Sequence, residues 1–301
     1  MSLLVTGSIG IDSVETPHGR VENVLGGSSI YFSLAASLFT RVRLVGVVGE
    51  DFDPRLLDPL RDKKIDVSAV EVRKGSRTFR WKGKYVGAMN EAETVGVELN
   101  VLAERGAQIP DAFVDTPYVF LANTHPRLQL GFARRMHASK LIVCDTMNLW
   151  IENERPALLE TLAAVHGLVL NEGEARLLTG EHNLITAGRA ILKLGPRFVV
   201  VKKGEHGSLL VSPDDLFVLP AYPTERTIDP TGCGDTFAGA MMGYLASQAR
   251  LDGRALRAAM ARGSVTASFV IESFSIEALA ACTPERVEQR LAELRRLSAF
   301  D

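Results

Sequence analysis

Asp229-Pro230-Thr231-Gly232-Cys233-Gly234-Asp235 sets two glycines around one small residue, with an acidic side chain immediately after. Phe237, Ala240, Met241, Tyr244 and Leu245 then recur at the spacing of one helical face. Gly232, Cys233 and Gly234 therefore fall at a helix start, where unpaired N–H groups and the positive end of the dipole together attract an anion. Asp235 holds a carboxylate against that anion, a costly placement unless its chemistry is used. A Gly-rich turn with Asp235 as an ordinary cap is the alternative.

The elements that would position this loop are legible as short apolar runs, each ending in a polar residue. Leu3 to Ile11 ends in Asp12; Tyr118–Leu121 leads to Asn123; Leu141–Cys144 to Asp145; Leu168–Leu170 to Asn171; Phe198–Val201 to Lys202 and Lys203. Continuous apolar strands separated by helical patterns predict a parallel sheet buried on both faces, which binds ligands at the strands' C-terminal ends. Thr78 to Tyr85 alternates at period two instead, so one face of that strand is exposed. Phe79, Trp81 and Tyr85 share a side, either to stack on a ligand ring or simply to pack. Asp51 reads as a helix cap. Thr283-Pro284 opens a terminal helix that buries Val287, Leu291, Leu294 and Leu297.

Composition narrows the classes. The 301 residues are 46% hydrophobic with a formal net charge of −2, which supports one large core and gives no footprint for nucleic acid or a membrane surface. Leu3–Ile11 is too short to span a bilayer and lacks the basic flank of a signal peptide. Cys144, Cys233 and Cys282 are far apart with no C-x-x-C, and the six histidines form no H-E-x-x-H, so a reducing cytoplasm without a transition-metal site is expected. Gly7 and Gly10 lack the third glycine of a dinucleotide fingerprint, as do Gly232 and Gly234, and no G-x-x-x-x-G-K-[ST] occurs.

D-x-T-G-x-G-D before a small-residue helix resembles the second signature of the ribokinase (PfkB-type) carbohydrate kinase family. Gly26-Gly27 and the helix after it resemble the first signature, with Tyr31 where an Asn is usual. Asn171-Glu172-Gly173-Glu174 resembles the N-x-x-E element, and Gly204 to Gly207 the G-x-x-G loop beside the nucleotide. The resemblance runs the length of the chain. It implies a ribokinase-like three-layer αβα core with a mainly parallel sheet (1–11, 25–69 and 104–301) and a small β lid (12–24 and 70–103).

The roles it implies are specific. Asp235 is the general base, with the amides of Gly232, Cys233 and Gly234 as the anion hole. Asp12, Gly26, Gly27, Tyr31 and Asn123 bind the acceptor. Asn171, Lys202, Gly204, Gly207 and Thr231 lie along ATP, with Lys202 or Lys203 facing the phosphates. Glu174 organises Mg²⁺ through water, and Asp229 helps hold K⁺. The activity implied is ATP-dependent phosphorylation of a hydroxymethyl group on a sugar or nucleoside. Tyr31 and the lid aromatics tilt the acceptor toward a nucleoside such as adenosine, whereas Arg80 would greet a sugar phosphate. A non-catalytic sensor on the same fold is a third reading, and pairing of two lids into a homodimer is a family expectation. A thiol at Cys233, beside a helix N-terminus, is expected to favour thiolate.

Overall fold

The computed structural model describes residues 1–300. In chain order the elements are β1 (Ser2–Thr6), β2 (Gly10–Thr16), β3 (Gly19–Gly26), α1 (Ser28–Ser37), β4 (Arg41–Gly49), α2 (Asp58–Asp62), β5 (Asp66–Arg73), β6 (Phe79–Tyr85) and β7 (Ala92–Glu98). There follow β8 (Tyr118–Leu121), α3 (Pro126–Arg135), β9 (Leu141–Asp145), α4 (Asn148–Asn153), α5 (Arg155–Ala163), β10 (Gly167–Asn171), α6 (Glu172–Thr179) and α7 (Leu184–Leu192). The chain finishes with β11 (Phe198–Lys202), β12 (Ser208–Val211), β13 (Leu216–Leu219), α8 (Cys233–Ser247), α9 (Gly253–Val270), α10 (Glu277–Ala280) and α11 (Pro284–Leu297).

Nine strands form one sheet in the order β13-β12-β11-β10-β9-β8-β1-β4-β5. It is parallel from β11 to β5, while β12 runs antiparallel to both its neighbours. Successive side chains of each buried strand enter opposite layers, as the period of two requires. Leu3, Val5, Phe120, Val143 and Val200 pack with α1, α8, α9 and α11. Leu4, Val119, Leu121, Ile142 and Val199 pack with α3, α5, α6 and α7. A second sheet has the order β3-β2-β6-β7. The three-layer αβα core and small accessory sheet are thus those expected from the resemblance.

Several local expectations change. The run from Leu3 to Asp12 is two strands, and Asp12 belongs to the small sheet rather than to the end of β1. Glycines make that departure possible: a Cβ on Gly7 would lie 2.7 Å from Ala122 Cβ, and one on Gly10 2.5 Å from the Phe79 ring. The small sheet runs from Gly10 to Gly26 and from Phe79 to Glu98, so its expected limits of 12–24 and 70–103 shift. In particular, Val70–Arg73 pair with Gly46–Gly49 in the large sheet. Asp51 is not a helix cap. Its Oδ1 accepts from the Thr78 N–H at 2.7 Å and the Thr78 hydroxyl at 2.8 Å, and its Oδ2 from Arg80 Nη2 at 3.2 Å, which fastens the small sheet to the end of β4. Leu297 is 49% exposed, whereas Val287, Leu291 and Leu294 are buried as expected. Among the described residues no helix is long and apolar enough to cross a membrane.

Helix α8 is buried on more than the predicted face: Ala238, Gly239, Met242, Gly243 and Ala246 are covered along with Phe237, Ala240, Met241 and Leu245. It lies between α1 and α9, and its small residues let backbones touch. A Cβ on Gly239 would lie 2.3 Å from the Phe32 carbonyl oxygen, and one on Gly243 2.7 Å from that of Ala36. Gly239→Ala would gain roughly 1 kcal/mol of helix propensity but overpack a backbone contact, at a cost of roughly 1–3 kcal/mol. The overpacking is expected to win, because a main chain cannot rotate aside. A lower urea midpoint for Gly239→Ala at unchanged m-value checks this; a raised midpoint contradicts it.

Candidate active site

The close packing of α1 on α8 brings two helix starts together. Gly232 caps α8 with φ +78°, and the Tyr31 ring of α1 occupies the space where its side chain would be, 2.4 Å from an added Cβ. The Cys233 N–H donates to the Pro230 carbonyl at 3.1 Å, so the expected three-amide anion hole loses that member. The N–H groups of Gly232 and Gly234 find no acceptor among the described residues. Two free donors at the head of a long, buried helix remain an anion cradle.

The start of α1 is filled by the protein itself. The Ser8 carbonyl accepts from the Ser29 N–H (3.2 Å) and Ser29 hydroxyl (2.7 Å), and the Ser8 hydroxyl accepts from the Ser28 N–H (2.9 Å). The close approach that Gly26 and Gly27 permit is therefore intramolecular. Added Cβ atoms would lie 1.9 Å from Asp12 Oδ2 at Gly26, and 2.5 Å from the Ser8 carbonyl oxygen at Gly27. Asp12 is 5% exposed and leaves Oδ1 buried without a partner. Burial raises its pKa to about 7, with Asp229 and Asp235 adding repulsion. An orphaned, buried carboxylate oxygen is a ready acceptor for a ligand hydroxyl.

Asp235, in the first turn of α8, is raised to about 6 by burial, against the opposing pull of Lys202. Lys202 ends β11 and puts its Nζ 2.8 Å from where a Gly234 side chain would begin, so it is the lysine that faces the loop; Lys203 donates to the His206 carbonyl instead. An ammonium at a helix N-terminus is electrostatically unfavourable by itself. Asp145, Glu174 and Asp235 offset this: Lys202 draws the pKa of each downward while burial drives all three up. Asp145, at the end of β9 and with Oδ1 buried and unpartnered, was not nominated from the sequence. Its place at a strand's C-terminal end was the available signal.

The remaining nominated residues divide. Asn171 and Glu174 form a reciprocal capping box on α6, with Glu174 N donating to Asn171 Oδ1 at 2.8 Å and Asn171 N to Glu174 Oε2 at 2.7 Å. The cap therefore exists, and it leaves Glu174 Oε1 and the Asn171 amide NH₂ uncommitted. Asp229 is buried, and accepts from the Thr231 N–H (2.9 Å) and Ser275 N–H (3.4 Å). Asn123 is already engaged, accepting from Trp150 Nε1 at 2.8 Å and donating to Met147 Sδ at 3.1 Å. Gly204 opens its turn at φ +53°, but Gly207 answers to packing: an added Cβ would lie 2.0 Å from the Leu219 carbonyl oxygen. Tyr31 is 2% exposed and belongs to the core. The aromatic side of β6 packs inward too: Tyr85 sits with Val14 and Met89, and Trp81 covers Gly83 and donates to Thr94 at 3.2 Å.

A profile of the pfkB family of carbohydrate kinases matches residues 3–280. The chain belongs to that family. Among its relatives is a cytidine kinase of Thermococcus kodakarensis, 30% identical over 91% of this chain and 97% of the other. Solved structures with the same fold include the nucleoside kinase of Methanocaldococcus jannaschii (TM-score 0.76, 19% identity, 97% and 98% coverage). Another is the ribokinase of Arabidopsis thaliana solved with ribose and ATP (TM-score 0.77, 18% identity, 96% and 98% coverage).

The expectation of a reactive thiolate at Cys233 does not hold. Burial pushes its thiol pKa up, Asp229 and Asp235 push it further, and Sγ points to the Ala267 carbonyl at 3.7 Å. Neighbouring carboxylates outweigh the helix terminus. Iodoacetamide at pH 7.5 is expected to label Cys233 about tenfold or more slowly than an exposed thiol. Rapid stoichiometric labelling, located by peptide mass mapping, would contradict this.

Proposed function

We propose that this kinase transfers the γ-phosphoryl group of ATP to a hydroxymethyl group of a nucleoside, with Asp235 as general base. The observation that carries the reading is the shared position of Asp235. It acts electrostatically on Asp12, Asp145 and Glu174, and is itself drawn down by Lys202. A single carboxylate thus stands between a hydroxyl-binding acid and a phosphate-binding lysine.

In this reading Asp12 accepts a hydrogen bond from the acceptor, and Asp235 takes the proton of the attacking hydroxyl. Negative charge on the transferring group meets the Gly232 and Gly234 amides and the Lys202 ammonium. Asn171, through its free NH₂, and the Gly204 turn lie along the triphosphate; Thr231 borders it. Among the described residues no cluster of three or more side chains could cage a metal. Mg²⁺ keeps most of its waters and takes phosphate oxygens, and Glu174 Oε1 and Asp145 Oδ1 would hold those waters. When bound, Mg²⁺ supplies charge neutralisation on the phosphates. Asp229, buried with one close N–H donor, is the candidate for helping to hold K⁺. Three unpaired cysteines suit a reducing cytoplasm.

The acceptor is read as uncharged. Arg80 is committed to Asp51 and Asn23, and Lys84 to Glu15 at 2.7 Å, so neither is free for a sugar phosphate. Asp12, Asp229 and Asp235 would repel an anion. The cytidine kinase relative fits this charge argument. A panel of cytidine, adenosine, inosine, ribose and fructose 1-phosphate is expected to show highest kcat/KM for a nucleoside and least for the phosphate ester, with lower rates in choline than in K⁺. Preference for fructose 1-phosphate would overturn the nucleoside reading, and equal rates in both salts the K⁺ assignment.

Asp235→Asn should retain ATP binding by calorimetry and lose roughly 10²–10⁴ in kcat. Because burial disfavours its ionised form, the base is protonated below about pH 6, far above the ordinary aspartate range. The wild-type rate should therefore fall as pH drops through 7 to 6. Near wild-type kcat in Asp235→Asn, or a rate flat down to pH 5, rejects the assignment.

A further inference from the structure

The β6–β7 hairpin touches the core at two places, the signature loop before α8 and the Gly204 turn. At the end of β6, Tyr85 accepts from the Thr231 hydroxyl at 3.3 Å. In the turn beyond it, Asn90 Nδ2 donates to Glu205 Oε1 at 3.3 Å, beside the Gly204 turn. Both distances are at the long end of hydrogen bonding, so a small movement of the hairpin would tighten or break them together. The turn is also packed onto the small sheet itself. Met89, at φ 56°, is 8% exposed and packs with Tyr85 and Val14.

Thr231 is the link between these contacts and the anion cradle. Its N–H is fixed on buried Asp229 at 2.9 Å and its hydroxyl on Tyr85, and the next residue is Gly232, which starts α8. We infer that Tyr85 is a positioning residue for phosphoryl transfer: through Thr231 it sets the direction of the Gly232 amide. With Asn90 on Glu205, the same hairpin couples the anion cradle at the head of α8 to the Gly204 turn. Tyr85 touches neither reactant in this scheme and acts through the loop. The inference rests on the kinase reading and adds that the nucleotide is sensed by the small sheet.

Hydrogen exchange of the full-length protein, with and without Mg²⁺–ADP, tests this. In the wild type, ADP should slow exchange in residues 86–91 of the hairpin as well as in 204–207. Tyr85→Phe, which removes only a hydroxyl, should lose most of the protection in 86–91. Its ADP Kd should stay within about twofold while kcat falls by about fivefold, the effect of one neutral hydrogen bond. Asn90→Ala gives an independent check, with the same loss of hairpin protection. ADP binding that leaves 86–91 unprotected in the wild type overturns this inference alone, as does a Tyr85→Phe variant with wild-type kcat and protection. No ADP binding by the wild type overturns the kinase reading and this inference with it.

Discussion

Backbone contact between α1 and α8 is the constraint on which the site depends. Two glycines one turn apart, Gly239 and Gly243, let α8 settle against the carbonyls of Phe32 and Ala36. At that separation the heads of the two helices are neighbours, and the Tyr31 ring fits over Gly232. The contact offers no hydrogen bond. Its value lies in dispersion and exclusion of water over two long apolar surfaces, and in fixing where the signature loop ends up.

Charge distribution follows from that placement. The region holds more carboxylates than cations, and the structure tolerates them by burial, which raises several pKa values, and by one well-placed lysine. Asp12 at about 7 and Asp235 at about 6 are raised chiefly by that burial. Groups with strongly displaced pKa values gather where charge is about to move.

Much of this was legible in the sequence, for physical reasons that differ by residue. The apolar strands read clearly because a sheet buried on both faces leaves no polar interruption. Asp229 to Asp235 could be placed at a helix start because the glycines precede an apolar pattern of helical period. What was missed depends on contacts between distant segments. Nothing in Leu3–Asp12 announces that the chain leaves one sheet for another, since Gly7 and Gly10 matter only against Ala122 and Phe79. Cys233 was misjudged because the helix terminus is local and visible, whereas the carboxylates around it come from the folded arrangement. Ser8 and Asp145 look ordinary until their partners are in place.

The small sheet is assembled from two stretches, Gly10–Gly26 and Phe79–Glu98, with α1, β4, α2 and β5 between them. Its central pairing, β2 with β6, is parallel and so needs that long excursion. The sheet is therefore not a continuous module of the chain. Its closure entropy is met by core elements that must form in any case. Its four strands come two from each stretch, so it is not a single piece that could be joined on at either end of the chain.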